Sequence, residues 1–198
     1  MSEKPYHHGS LEHALTEAAV AVVEEAGIGA LSLRDIARTI GVSPSAAYRH
    51  FPSRDHLVAH VSQVAREDLA RALILAREGV HTKGSRMRRS VRQFEAIGRA
   101  YVTFAIDHPT QFEAAFFACD VRPDRDDDPS AWAVLADAID LMAQTGAVPK
   151  ARRKDAPIIA WSGVHGLAKI LTASIRPAGY TADDEIDVVI AGISRALA

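Results

Sequence analysis

The sequence contains a single cysteine, Cys119, and no run of apolar residues that approaches the length of a membrane span. A single cysteine excludes an intramolecular disulfide framework and fits a reducing compartment. We interpret Cys119 as a small apolar residue of a helix rather than as a nucleophile. The first ten residues, MSEKPYHHGS, lack the apolar core of a signal peptide. We therefore expect a cytoplasmic protein with no membrane partner.

A surplus of charge of one sign is also absent. Lys and Arg number 23 and Asp and Glu number 25, which gives a formal net charge of -2. This balance counts mildly against nucleic-acid binding, so any argument for such binding must come from local charge. Hydrophobic residues make up 48% and charged residues 24% of the 198 positions, which is typical of a globular protein with a substantial core.

Apolar residues recur at helical spacing in nearly every segment, and no segment alternates with period two for long enough to form a sheet. The sequence therefore predicts an all-α fold of about nine helices. One helix, expected from about Asp155 to Ile175, is apolar nearly all round, which favours burial on more than one side. Caps and stops mark the helix ends. The main ones are Ser10, Gly27, Gly29, Ser32, Gly41, Ser43, Pro52, Ser53, Pro109, Pro129, Gly146, Pro149, Pro177, Gly179 and the pair Thr181 and Asp184.

The stretch from Leu31 to Phe51, LSLRDIARTIGVSPSAAYRHF, holds two short helices joined by a tight turn. The first helix is amphipathic, Gly41 supplies the turn, and the second helix is capped by Ser43 and stopped by Pro52. This layout is typical of a helix-turn-helix, whose second helix lies in the major groove of DNA.

Local charge around these two helices favours DNA binding where the overall charge does not. Between Ser32 and Arg54 there are four arginines and one acidic residue, Asp35. The second helix has few large apolar side chains, so its surface is slim enough to enter a groove about 12 Å wide. The four arginines are Arg34, Arg38, Arg49 and Arg54.

Two parts of the N-terminal region resemble the TetR/AcrR family of regulators: the opening YHHGSLEHAL, and the run from Gly29 to Leu57. The run contains a Leu-Arg-Asp-Ile-Ala block, a Gly-Val-Ser turn and a Tyr-Arg-His-Phe sequence that ends at Phe51. At motif level the resemblance covers about residues 5–65. Farther along, WSGVHGL at 161–167 resembles the Trp–His–Gly element of one group of C-terminal domains in this family. The resemblance implies a DNA-binding domain over 5–65, with the helix-turn-helix at about 32–51, and a ligand-binding and dimerisation domain over 71–198.

The resemblance also implies which side chains contact DNA. The second short helix should read bases, and residues around both helices should contact phosphates. Tyr48 has an alternative role in core packing, and Arg38 is interpreted as a solvated or ion-paired side chain. The candidates for bases are Ser45, Ala46, which would touch a thymine methyl group, and Arg49; those for phosphates are Ser43, Tyr48, His50, Arg54 and, at the flank, His8; Arg34 should reach a base edge or a neighbouring phosphate.

In the family the C-terminal domain holds a ligand cavity between helices, and aromatic residues of the middle third suit a mainly apolar pocket. Each aromatic residue by itself is more often plain core. His165 lies one helical turn after Trp161, where a histidine is more often a core or interface residue than a ligand contact. The expected effector pocket comprises Phe94, Tyr101, Phe104, Phe112, Phe116, Trp132, Trp161 and His165.

An acidic stretch in this domain raises the question of a metal site. Its residues Asp124, Asp126, Asp127 and Asp128 lack the glycine and the terminal glutamate of a calcium loop. We interpret the stretch as a solvated loop and expect neither a metal nor a cofactor.

The last two helices are the expected dimer surface, because in the family they pair with their twins as a four-helix bundle. The apolar stripe of Ile186, Val189, Ile190 and Ile193 would otherwise be exposed on the final helix. A homodimer also fits a palindromic site in double-stranded DNA, since a two-fold protein reads two half-sites.

The expected function is that of a repressor that leaves a palindromic operator when a small apolar or aromatic effector binds. An activator, or a regulator without a small-molecule effector, fits the sequence equally well. An all-α enzyme is a rival interpretation, but there is no paired-histidine helix, Cys-x-x-Cys or phosphate loop, so we expect no enzyme activity. A helical protein-binding scaffold would leave Tyr48, Arg49 and His50 unexplained.

Overall fold

The computed structural model describes residues 8–81, 83–117, 130–173 and 179–198, with side chains from Leu11 onward. Within these residues it contains nine α-helices, two short 3-10 helices and no strand, which confirms the predicted all-α fold. The 3-10 helices are Ile28–Ala30 and Lys150–Arg152. The α-helices are α1 (His8–Ala26), α2 (Leu33–Thr39), α3 (Pro44–His50), α4 (Arg54–Glu78), α5 (Arg86–Asp107), α6 (Pro109–Ala115), α7 (Ala131–Gln144), α8 (Ala156–Thr172) and α9 (Ala182–Leu197).

Three helices begin at a polar side-chain cap that the sequence predicts. The Ser32 and Ser43 side chains accept hydrogen bonds from backbone N–H groups at the starts of α2 and α3. Thr181 and Asp184 form a complete capping box at α9, with each side chain bonded to the other residue's backbone. Gly146 follows α7 with a φ of +84°, a conformation that residues with a Cβ rarely adopt.

Two boundaries differ from the expectation. α1 begins at His8, so Ser10 lies inside the first turn rather than at the cap. α8 ends at Thr172, and its expected end at Ile175 lies outside the described residues, as do Pro129 and Pro177. Cys119 and the acidic stretch from Asp120 to Asp128 lie outside them as well.

The chain forms two compact units. The described part of the first unit comprises residues 8–66 and 110–117, and that of the second comprises 67–81, 83–109, 130–173 and 179–198. The core of the first unit is built from α1, α2, α3, the first half of α4 and the end of α6. Its fully buried members include Leu15, Ala47 and Leu57.

In the first unit α6 is attached to α1 and α4 by hydrogen bonds. The Gln111 amide donates to the Glu24 carboxylate at 2.6 Å, and the Arg66 guanidinium donates to the Ala115 carbonyl at 3.2 Å. Ala114 and Ala115 are buried in the core of the first unit. The end of this helix therefore belongs to the core that supports α2 and α3, although the helix follows α5 directly in sequence.

In the second unit α5 packs against α7, α8 and α9, and α8 packs against α9. Small residues permit close approach between these helices. A Cβ on Gly163 of α8 would lie 2.6 Å from Cδ1 of Ile193 on α9, and one on Gly98 of α5 would lie 3.5 Å from Cδ1 of Ile190. No helix in the described ranges is both long enough and apolar enough to cross a membrane.

Candidate nucleic-acid interface and regulatory cavity

Local contacts fix the orientation of α3. Gly41 makes the preceding turn with a φ of +76°, and Pro44 occupies the start of the helix behind the Ser43 cap. Ser43 Oγ accepts the backbone N–H of Ala46 at 3.2 Å. Ala47 is completely buried and Phe51 nearly so, which anchors one face of the helix in the first unit's core. The opposite face must therefore point to solvent.

The outward face of α3 carries the side chains expected to contact DNA. Ser45, Tyr48 and Arg49 are exposed, and 47% of the Tyr48 surface is accessible. This exposure contradicts the alternative in which Tyr48 packs in the core. Arg34 on α2 is exposed as well, and neither Arg34 nor Arg49 forms an ion pair with any residue that the structure describes. Both guanidinium groups can donate hydrogen bonds to a partner.

Arg38 differs from these two arginines. Its guanidinium lies 3.0 Å from the Asp35 carboxylate of the same helix, one turn away. The structure thus gives Arg38 the ion-paired position anticipated from the sequence, and the only acidic residue of the motif is used there.

Two side chains expected at the interface point inward to a large extent. The His50 side chain is 14% exposed, and its Nδ1 lies 3.8 Å from Glu12 Oε2 on α1. Ala46 is half-buried and packs against the core of the first unit. His50 follows Ala46 and Ala47 by about one helical turn, so these three residues lie on the same side of α3, the side that is buried at Ala47.

Arg54 has a structural role that the sequence did not reveal. Its guanidinium donates to the carbonyls of Leu31 at 2.9 Å, Gly29 at 3.1 Å and Ile28 at 3.3 Å. Ile28 and Gly29 belong to the short 3-10 helix after α1, and Leu31 is its C-cap. Arg54 thus joins the start of α4 to the end of that turn, and its phosphate contact stays a prediction. The expected contact by His8 concerns a side chain outside the described residues.

The second unit contains a small apolar cavity between α4, α5, α7 and α8. Its volume is about 20 Å³, which is room for about one water molecule. Of the eight residues expected in the effector pocket, Phe94, Tyr101 and Trp161 line it. The sequence did not single out the aliphatic walls, which include Leu73, Leu135 and Val164.

One polar cluster borders this cavity. The Tyr101 hydroxyl lies 2.8 Å from His165 Nδ1, and the Trp161 indole N–H donates to the same hydroxyl at 3.3 Å. Burial strongly raises the pKa of Tyr101, so the phenol remains neutral. Burial lowers the pKa of His165, and the Lys169 ammonium lowers it further, so the imidazole is neutral at neutral pH. The neutral ring can accept a hydrogen bond from the Tyr101 hydroxyl at Nδ1.

The other expected pocket residues lie elsewhere. Trp132 packs edge-on against Trp161, with ring centroids 5.8 Å apart, and is 46% exposed. Phe104 is buried next to His108. Phe112 and Phe116 belong to the first unit and meet edge to face, with ring centroids 5.0 Å apart. They do not line the cavity described above, and their part in an effector pocket stays a prediction.

The residues of the expected dimer stripe on α9 lie mostly in the interior of one chain. Ile186, Ile190 and Ile193 are buried within one chain, against α5 and α8, and Val189 is half-buried. The apolar residues that α8 and α9 do expose are Ile158, Ile159, Ile170 and Val188, each between 47% and 59% accessible. The periodicity of α9 identified its buried face correctly, but the partner of that face is the same chain.

Two protein-family models match this chain, one in its N-terminal part and one in its C-terminal part. The family model for the bacterial regulatory proteins of the tetR family matches residues 15–61. A second model, the tetracyclin repressor-like C-terminal domain, matches residues 94–192, which is half of the chain. The first match contains α2 and α3, and the second runs from Phe94 within α5 to Gly192 within α9.

Solved structures share this architecture over nearly the whole chain. A protein of unknown function from Rhodococcus sp. RHA1 is 26% identical, with a TM-score of 0.76, and the match covers 99% of this chain and 100% of that one. The TetR family transcriptional regulator PfmR from Thermus thermophilus is 18% identical, with a TM-score of 0.58 over 93% of this chain and 94% of that one. AibR, solved with isovaleryl coenzyme A and operator DNA, is 14% identical, with a TM-score of 0.56 over 94% and 97%. Together with the helix-turn-helix and the matched family models, these findings lead to one conclusion: the chain belongs to the TetR family and is a DNA-binding regulator of transcription.

Proposed function

We propose that the protein is a cytoplasmic homodimeric repressor that binds a palindromic operator and leaves it when a small apolar or aromatic effector enters the second unit. The observation that carries this proposal is the outward face of α3, where Tyr48 and Arg49 are exposed on a helix anchored from behind by Ala47. A helix held this way can enter the major groove without rearranging the core.

Arg49 and Ser45 are the proposed base readers, since both are exposed on the face opposite Ala47. Arginine pairs with two acceptors on guanine, which supplies specificity that a single charge does not. The half-exposed Ala46 can still present its methyl group to a thymine. Tyr48 and Ser43 are proposed to contact phosphates.

Arg34, on α2, is proposed to contact a phosphate or the edge of a neighbouring base. His50 is proposed to act at the margin, because its ring is directed toward Glu12. For Arg54 we propose a structural role, because its guanidinium bonds to three backbone carbonyls.

The proposed dimer surface consists of the exposed faces of α8 and α9. It presents Ile158, Ile159, Ile170 and Val188 to solvent. Gly166 and Gly192 add to it, because a Cβ on either glycine would meet nothing within 4 Å, which leaves room for a close partner helix. A symmetric pair of chains matches the two half-sites of a palindrome.

The small size of the cavity supports a mechanism in which effector binding changes the conformation. Ligand pockets usually measure about 300–1,000 Å³, so a cavity of about 20 Å³ must open before a ligand fits. Leu73 of α4 lines the cavity, and Leu57 of the same helix is buried in the first unit's core. Opening the cavity therefore acts on a helix that supports α3, and the effector needs a preference of about 1–3 kcal/mol for the opened form. AibR, which was solved with both a ligand and operator DNA, has the same fold.

The experiment that tests the DNA-binding part begins with selection of bound sequences from random duplexes, which yields a half-site and its spacing. Affinity for the selected duplex is then measured across a salt series. We expect a steep loss of affinity with salt and two half-sites about one helical turn apart. Arg49→Ala should lower affinity by about 1–3 kcal/mol and relax specificity at one position.

Arg38→Ala is the matched control, since Arg38 is an exposed arginine of the same motif that is paired with Asp35. It should leave the preferred sequence unchanged. Equal losses for Arg49→Ala and Arg38→Ala, or selected sequences without two-fold symmetry, would contradict the proposed role of α3 and the dimer.

A further inference from the structure

Trp161 is one of the residues that line the cavity in the second unit. The indole lines the cavity and contacts three other polar or aromatic side chains. It lies edge-on to Trp132 at 5.8 Å and an interplanar angle of 87°, and its centroid is 5.3 Å from that of His165. Trp132 is 46% exposed, so the aromatic cluster extends from the cavity wall to solvent. Trp161 is itself partly exposed, so its indole borders solvent as well as the cavity.

The Tyr101 hydroxyl restricts what can replace the indole. Tyr101 is 2% exposed, and a buried hydroxyl that loses a partner costs about 1–3 kcal/mol. An indole N–H is a donor only, so the Tyr101 oxygen accepts from Trp161 and the Tyr101 proton is directed to His165 Nδ1. A molecule that displaces the indole must therefore present a hydrogen-bond donor to the same oxygen.

The residues that line the cavity determine whether the ligand can carry a charge. None of the lining residues in the described part of the chain is charged. Arg99, on the same helix as Tyr101, pairs with the Asp183 and Asp187 carboxylates at the start of α9. A carboxylate or a phosphate placed among these lining residues would lose its hydration without a charged residue of the wall beside it, and the Lys169 ammonium acts on His165, which borders the cavity but does not line it. The site thus favours an uncharged molecule.

We propose that Trp161 occupies the place of the effector, and that the effector is an uncharged aromatic molecule of about the size of indole with one ring hydroxyl or N–H. Its donor takes over the bond to the Tyr101 oxygen, and its ring takes the position of the indole, which moves outward past Trp132. This inference rests on the proposed function only in assigning the cavity to the effector. It adds the ligand's chemical class and identifies Trp161 as its competitor.

The first test measures binding by calorimetry with pairs of ligands that differ in the donor alone: indole against indene, and 2-naphthol against naphthalene. With the unmodified protein, the donor-bearing member should bind about tenfold more tightly. In Tyr101→Phe the preference should fall to about one, because the ring is kept and only the acceptor is lost. A preference that survives in Tyr101→Phe, or no binding of any of the four compounds, overturns the inference.

The second test uses Trp161→Phe, which keeps an apolar ring but removes the competing N–H. We expect 2-naphthol to bind this variant several-fold more tightly than the unmodified protein, because the ligand no longer displaces a bonded indole. If Trp161 were only a packing residue or a direct ligand contact, the same change would weaken binding. Weaker binding would therefore overturn the competitor role.

The movement of Trp161 can be observed directly, because the chain has two tryptophans and both lie in this cluster. In a Trp132→Phe variant labelled with 5-fluorotryptophan, the single ¹⁹F resonance reports on Trp161. We expect 2-naphthol to shift it toward the solvent-exposed position, while naphthalene does so only at higher concentration. An unchanged resonance at saturating 2-naphthol contradicts the displacement.

The same samples are assayed for binding to the selected duplex. This assay distinguishes a failure of the inference about the ligand from a failure of the proposed function. If the protein binds duplex DNA and a compound of another class releases it, the inference fails and the proposed function stands. If the protein shows no binding to any duplex, the proposed function fails whatever the calorimetry shows.

Discussion

The two units differ in how their functional side chains are held in place. In the first unit the outward face of α3 is set by contacts over a few residues, such as the bond from Ala46 to Ser43. In the second unit the polar cluster at the cavity joins Tyr101 to Trp161 and His165, which are 60 and 64 residues away in sequence. A site built from local contacts can be recognised in a sequence, whereas a site built across helices depends on how those helices pack.

α3 and α9 show the same difference at the level of single helices. Both are amphipathic, and both were expected to present a functional face. On α3 the polar face is exposed and the small apolar face is buried. On α9 the isoleucine stripe is buried against the same chain, so the face left for a partner is the one that includes Val188.

The largest expected effect concerns the assignment of α6 to the first unit. Phe112→Ala removes a ring that is 1% exposed and should lower the free energy of unfolding by about 3–5 kcal/mol. DNA affinity should fall with it, because α6 supports the core behind α3. Denaturant unfolding and operator binding measure the two effects.

Phe116→Ala is the matched control, since the Phe116 ring is 40% exposed and should cost far less. A Phe112→Ala protein of normal stability with impaired ligand binding would return Phe112 to the effector pocket and contradict the division of the chain.

The next effect separates the inner and outer faces of α9. Ile190→Ala should destabilise the folded chain by about 2–5 kcal/mol, because Ile190 fills the space beside Gly98. Val188→Asp should leave the folding of one chain nearly unchanged and shift the protein toward monomer, since it places a charge on the proposed dimer surface. Chemical denaturation and analytical ultracentrifugation over a concentration series follow the two properties. The reverse pattern would make the isoleucine stripe the dimer interface.

A smaller effect tests the role of Arg54. Arg54→Gln loses charge-assisted bonds to backbone carbonyls and should destabilise the first unit by about 1.5–3 kcal/mol. The salt dependence of DNA binding should keep its slope, whereas loss of a phosphate contact would reduce the slope by about 1. Arg34→Gln provides the comparison, with the slope reduced and the stability unchanged. An unchanged stability with a reduced slope for Arg54→Gln would restore its phosphate contact.

The smallest effect is expected at the capping box of α9. Thr181→Ala should cost about 1 kcal/mol of stability, as is typical for loss of an N-cap side chain. Hydrogen bonds from Thr181 lower the pKa of Asp184. The stabilisation by Asp184 is therefore present above the ordinary aspartate pKa and is lost as the pH falls through the lowered one. Unfolding measured from neutral to acid pH should show a larger loss in the unmodified protein than in Thr181→Ala, which keeps only the bond from the backbone N–H of residue 181 to the Asp184 carboxylate.

Thr16→Ala is a suitable control for that measurement, because the Thr16 hydroxyl bonds back to the Glu12 carbonyl within α1 and caps no helix. Its stability should change little at any pH. A similar loss in both threonine variants would assign the effect to the hydroxyl group itself rather than to the cap.

Sequence reasoning succeeded at features that depend on neighbours along the chain. The caps at Ser32, Ser43 and Thr181, the turn at Gly41 and the pairing of Arg38 with Asp35 all involve residues within one helical turn. It failed where the outcome depends on distant partners. Arg54 bonds to carbonyls 23 to 26 residues earlier, and no pattern in the sequence indicates such a pairing.

By itself the sequence determined the class of fold, the caps of α2, α3 and α9 and the exposed polar face of α3, because helical periodicity and capping are short-range effects. Only the tertiary structure decided that the isoleucines of α9 are internal, that α6 belongs with α1, and that Trp161 lines a cavity with Tyr101. Periodicity reveals which face of a helix is apolar. Which surface covers that face depends on the packing of all the helices together, where burial of apolar area is not directional and many pairings compete.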